Sequence, residues 1–247
     1  MEHLRLLREL RGLLRWQGMQ GITGYPVSAG LRIFLRTKGP SLPQRSSSRS
    51  ETTAPPQAGS DSLQFFREEL AGCRNCPLHA ARLGLSSGRG SAGARLMFVG
   101  DWSRQGEGDF SPEVVLGVAE DAMVVRMTAA IQLPPEAIYL TNLLKCCPLP
   151  GQDPAPACVD CCLEHLSREI SLVRPAVLCL LGGLPAATLL RQQAPLARLR
   201  GRRFKYQISA GSIPVMPTYH PNLLLRQPDF KAAVWSDLQA MQRWLME

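Results

Sequence analysis

The chain has 247 residues, 45% of them hydrophobic, and a formal net charge of +8. That fits one large domain, or one domain with an appendage, able to bury a sizeable core, and no apolar run approaches the length of a membrane span. The first residues, MEHLRLLRELRGLLRWQ, carry too many Arg and Glu for a secretory leader, so eight cysteines read as reduced thiols or metal ligands of a cytoplasmic protein rather than a disulfide framework. The charge is uneven. Residues 1–50 hold nine Lys and Arg against two Asp and Glu, whereas the rest holds nineteen against eighteen.

In chain order, Leu4, Leu7, Leu10, Leu13 and Leu14 recur at helical spacing with Arg5, Arg8, Arg11 and Arg15 between them, which predicts a basic amphipathic arm over 1–38. Its uses are a protein partner, nucleic acid, contact with a membrane surface or simple coverage of an apolar patch. Residues 39–60 are rich in Ser, Pro, Gly and Thr and form the expected linker, so the domain proper spans 61–247. Within it the pattern predicts helices over 60–73, 112–131 (starting at Pro112), 154–173, 184–192 and 228–246. Short, continuously apolar runs at 94–102, 138–144, 176–183 and 212–220 predict strands. Strand and helix alternate, so the fold class is α/β, a parallel sheet with helices on both faces. Ligands of such folds bind beyond the carboxyl ends of the strands. Those ends carry Gly100-Asp101, Asn142, Gly182-Gly183 and His220-Pro221.

Several residue sets there carry chemistry. Cys73 and Cys76 form one close pair, with Cys146 and Cys162 as distant single thiols, and Cys158 and Cys161 form a second C-x-x-C. Tetrathiolate binding of an iron–sulfur cluster and a zinc site built from the two close pairs both suit this spacing. Asn142 offers the donor and acceptor needed to read a nucleobase edge, or satisfies loop backbone. His220 is placed to donate to a developing anion. Leu223, Leu224 and Leu225 follow on an expected loop, where exposed leucines suit a wedge between base steps, with Arg226 on a phosphate. The run ARLRGRRFKY (197–206) adds Arg200 and Arg202 with interleaved aromatics as a further backbone-tracking candidate.

The segments CRNCPLHAAR, ARLMFVGD, IYLTNLLKCCP, VLCLLGGLPAATLL, LRGRRF and PTYHPNLLLRQP, in that order over about residues 62–247, resemble the iron–sulfur uracil-DNA glycosylases of family 4. The resemblance implies a three-layer sandwich with a four-stranded parallel sheet and a structural [4Fe–4S] cluster on Cys73, Cys76, Cys146 and Cys162, leaving Cys147, Cys158, Cys161 and Cys179 as extras. It implies a monomer that removes uracil, or a related deaminated base, from DNA. Asn142 reads the base, His220 steadies its negative charge and Leu223 to Leu225 replace it in the stack. The first motif departs: GDWSRQGEGDF replaces the family's GE-x-PG, and no PFVG follows. Asp101 is then the expected water-positioning carboxylate, with Glu107 and Asp109 in reserve, and Phe110 the nearest stacking ring. Trp102 and Arg104 in that motif leave a rival reading open, a cluster-bearing damage-recognition protein without catalysis.

Overall fold

A computed structural model describes residues 58–106, 108 and 110–247. The proposed arm, most of the linker, Glu107 and Asp109 lie outside the described residues. The first helix, α1 (Ala58–Ala71), is followed by a one-turn helix α2 (Leu78–Ala81) and a short strand β1 (Gly84–Leu85). β2 (Leu96–Gly100) leads to α3 (Val118–Ala130), β3 (Ile138–Asn142) and a short β4 (Cys146–Cys147). Then come α4 (Pro156–Val173), β5 (Val177–Leu181), α5 (Gly183–Leu190), α6 (Leu196–Leu199), β6 (Phe204–Ile208), β7 (Gly211–Thr218), α7 (Pro221–Arg226) and α8 (Lys231–Met246). No helix among the described residues is long and apolar enough to cross a membrane.

The main sheet runs β3-β2-β5-β7-β6. Its first four strands are parallel, as their unbroken apolar runs predict, because helices bury them on both faces. Alternation along β2 sends Met97 and Val99 to one core, with Leu166 and Ile170 of α4, and Leu96 and Phe98 to the other, with Met127 of α3 and Leu238 of α8. Burying each such side chain contributes on the order of 1.5–3 kcal/mol. The result is the three-layer α/β sandwich expected.

The sheet has one strand more than the four expected. β6 pairs antiparallel with β7, and its residues alternate half-buried Phe204, Tyr206 and Ile208 with exposed Lys205 and Gln207. The basic run thus continues into an edge strand, whose outward Lys205 discourages further strand pairing. A second difference is at α3, which begins at Val118 and not at Pro112. Residues 111–117 stay irregular because Asp121 accepts from the backbone N–H of Val115 and Leu116, each at 2.9 Å, and so holds the segment before the helix out of helical pairing. α4 begins with Pro156 in its first turn and ends where Arg174 turns left-handed ahead of Pro175, as its sequence predicts.

Candidate active site

All four parallel strands deliver a residue to one point at their carboxyl ends. Gly100 of β2 is the register partner of Asn142 of β3. His220 follows β7, and a side chain at Gly182, just past β5, would meet the His220 Cβ at 3.5 Å. Gly182 has φ +101°, which a side chain would strain. Gly100 has no room for one either: its missing Cβ position lies 2.5 Å from Asn142 Oδ1 and is pressed by Leu116. The two glycines are what let the polar side chains close in.

Asn142 is fully buried, and its Nδ2 donates to the Val115 carbonyl at 2.6 Å. That bond leaves Oδ1 facing the Gly100 side, buried and without a partner. His220 Nδ1 accepts from the Asn222 N–H at 3.1 Å, which puts the ring proton on Nε2. Nε2 lies 3.6 Å from the same Gly100 position and is also buried and unpartnered. One acceptor and one donor therefore converge with no partner among the described residues. Buried polar atoms left open in this way are rare and mark a ligand's place.

Asp101, the next residue after Gly100, reaches within 3.7 Å of His220 Nε2, too far for a hydrogen bond. Its carboxylate is held by Arg104 through both oxygens, at 2.6 and 2.5 Å, while the guanidinium lies 5.0 Å from the Trp102 ring centre. Burial would push the Asp101 carboxyl up, but the paired Arg104 outweighs it and holds the group below the usual carboxylate range. The divergent loop is built rather than slack. Gln105 Nε2 shares its two N–H groups among Ser103 Oγ at 3.0 Å and the carbonyls of Ser111 and Val114 at 3.0 and 2.9 Å, and Oε1 accepts from the Ser111 N–H at 2.7 Å. Neither Gln105 nor Asp121 stands out in the sequence, because a loop glutamine and a first-turn acid look like solvent-facing residues.

Other expected residues go elsewhere. Phe110 packs its ring against Gly84 of β1, while from the segment after it Val115 accepts from Asn142 and Leu116 presses on Gly100. The leucine segment is the helix α7 and not a loop: Leu224 is 1% exposed in the core, so it does not serve as a wedge, whereas Leu225 is 39% exposed and Leu223 half-buried. Arg226 is exposed at the end of α7. Arg200 is not free for a phosphate, since it clasps the buried Asp237 and lies over the Tyr219 ring. Arg202 is exposed beside it, and the Gly201 N–H donating to the Pro217 carbonyl holds this turn near the end of β7.

Away from the strand ends, Cys73, Cys76, Cys146, Cys161 and Cys162 line one cavity with His79, Lys145 and His165. It lies among the segment after α1, strand β4 and helix α4. No three acid, His or Cys side chains among the described residues hold metal-ligand geometry. The chemistry of the lining nevertheless suits a cationic iron core. Burial and the neighbouring Cys146 and Cys76 push the Cys162 thiol up to about 11, and burial raises Cys76 and Cys146 as well. A bound cation reverses that penalty by taking the thiolates as ligands. Arg82 Nη1 already donates to Cys146 Sγ at 3.4 Å, and His165 Nε2 lies 3.3 Å from Cys73 Sγ. Cys158 lies beside Cys76 rather than on the cavity wall, Cys147 donates its thiol to the Ser103 carbonyl, and Cys179 is sealed within β5.

Comparison with known proteins bears on this geometry. The family model described as the uracil DNA glycosylase superfamily matches residues 83–239. A type-4 uracil-DNA glycosylase of Archaeoglobus fulgidus is 30% identical over 183 residues, covering 72% of this chain and 91% of the relative. Those of Saccharolobus solfataricus and Thermotoga maritima are 27% and 26% identical, with 75% and 66% of this chain and 87% and 83% of the relatives covered. The chain belongs to the uracil-DNA glycosylase superfamily, with type-4 enzymes among its relatives.

Proposed function

We propose that this protein is a monomeric hydrolase that cleaves the N-glycosyl bond of uracil in DNA. The observation that carries the reading is the pair of buried, unsatisfied atoms of opposite polarity, Asn142 Oδ1 and His220 Nε2, at the ends of the parallel strands. Uracil presents an N–H flanked by two carbonyls. Its N3–H donates to Asn142 Oδ1, and His220 Nε2–H donates to a carbonyl oxygen of the base that gains charge as the bond to the sugar breaks. Uracil leaves as an anion, so a neutral donor helps most in the transition state. Asp101 stands where the sugar turns cationic and water enters, and Leu225 and Arg226 are the exposed groups of α7 that meet the duplex.

Cys73, Cys76, Cys146 and Cys162 would hold a [4Fe–4S] cluster. Its contribution when bound is to cross-link the segment after α1, strand β4 and helix α4 rather than to take part in hydrolysis. Purified aerobically, the protein is expected to carry about four iron atoms per chain and a brown absorbance, and Cys146→Ala to lose both. Zinc in place of iron would overturn the cluster.

Duplexes containing uracil, hypoxanthine or xanthine test the activity directly: abasic sites should appear with uracil first. A second reading, base binding without turnover, draws on the Arg104 clamp across Asp101. If the clamp restrains the carboxylate, Arg104→Gln raises the single-turnover rate by about tenfold, equivalent to about 1.4 kcal/mol of barrier. A lowered rate would instead place Arg104 on the substrate.

A further inference from the structure

Lys145 is 1% exposed and Glu169 is fully buried, and neither belongs to the pair of atoms facing the base. Lys145 Nζ donates to Glu169 Oε2 at 2.5 Å, to Thr141 Oγ1 at 2.9 Å and to the main-chain carbonyl of Asn142 at 2.7 Å. An ammonium has three N–H groups, and all three are used. Glu169 accepts further from Tyr139 OH at 2.8 Å and from Thr141 Oγ1 at 3.1 and 3.0 Å. The network thus grips three residues of β3, Tyr139, Thr141 and Asn142, from the face covered by α4.

Stability does not account for such a pair. Withdrawing two charges from water consumes most of what their attraction returns, and well-packed apolar residues often do as well. Directed bonds are what the pair adds. Asn142 is the last residue of β3, and its carbonyl is fixed by Lys145. Among the described residues the Asn142 side chain hydrogen-bonds to Val115 alone, through Nδ2, so which amide atom faces the base depends on the backbone staying in place. Oδ1 in that position accepts from uracil N3–H and repels the N3 lone pair of cytosine. A rotated amide would present Nδ2 and accept cytosine.

Resting on the proposed reading of the base by Asn142, we propose that Lys145, braced by Glu169, is a positioning residue that sets uracil-over-cytosine selectivity. Sites built to hydrogen-bond one partner reject its analogue by large factors, and those factors collapse when the acceptor is free to turn. The network also joins Asn142 to the residue preceding Cys146 and to the helix carrying Cys162, so the base-reading strand and the thiol lobe share one brace.

The test is binding to oligonucleotides carrying non-cleavable 2′-fluoro-deoxyuridine or 2′-fluoro-deoxycytidine, which needs no turnover. Wild type should prefer the uracil analogue, and Lys145→Met/Glu169→Gln, which removes both charges together, should lose at least about tenfold of that preference. Its affinity for an abasic-site oligonucleotide, which offers no base to read, should stay within about threefold. Thr141→Val, of the same shape but without the hydroxyl that accepts from Lys145 and donates to Glu169, should lose a smaller part and serves if the double variant does not fold. A folded variant with unchanged preference overturns the inference, as does a wild type with none. Failure of wild type to release uracil while it still prefers the uracil analogue defeats only the proposed catalysis.

Discussion

Replacing His220 by alanine is expected to slow single-turnover uracil release by about 10²–10³-fold, the loss that follows removal of one preorganised donor to a developing anion. Affinity for uracil-containing DNA should change little, because the charge on the base is small until the bond breaks. The donor must be neutral imidazole. Burial holds His220 down at about 4, with Arg104 assisting and the Asp101 charge opposing. Since its partner Asp101 is also held below the usual range, neither group changes charge between about pH 5.5 and 8, and the rate should be flat there. Folding stability behaves differently. Between about pH 4 and 6.5 the unfolded histidine binds a proton that the folded one does not, so stability rises with pH across that window and this contribution levels off above it. Turnover by His220→Ala within about threefold of wild type would remove the histidine from the mechanism.

Asp237→Ala should be the most damaging single change to stability remote from the base. Asp237 is 1% exposed and accepts from Arg200 Nη2 at 2.5 Å, Arg200 Nε at 3.1 Å and Thr218 Oγ1 at 2.6 Å. Thr218 ends β7, two residues before His220, and Tyr219 between them packs edge-on against Phe230. Truncation leaves a guanidinium and a hydroxyl without their acceptor. Breaking a buried pair from one side costs about 3–5 kcal/mol, and the lower figure applies because the Arg200 side chain keeps 21% of its exposure. For a domain of this size that is a fall of roughly 6–12 °C in melting temperature. A loss under about 1 kcal/mol in denaturant titration would show that Arg200 finds solvent instead.

The sheet was legible because burial on both faces leaves a plain signal: LMFVG and VLCLL are apolar throughout, and only a parallel strand between helix layers needs that. FKYQI carries the weaker period-two signal of an edge strand, hidden by the arginines before it. PNLLLR was misjudged for the same kind of reason. Three leucines on a helix point in different directions, so a run that looks uniformly exposed divides into core-facing Leu224 and outward Leu225. Asn142 and His220 could be chosen from their place at strand ends. Gln105, Asp121 and Lys145 could not, because each acts on backbone groups three to nine residues away in irregular turns that no periodicity marks.

Gln105 binds both Ser111 and Val114, which closes the loop at its neck. The segment that follows Asp101 is thereby tied directly to the one that precedes Val115. Lengthening a closed loop is cheap, with each doubling costing only about 0.6 kcal/mol of closure entropy. A change of length between residues 105 and 111 should therefore leave Asp101, Asn142 and His220 where they stand.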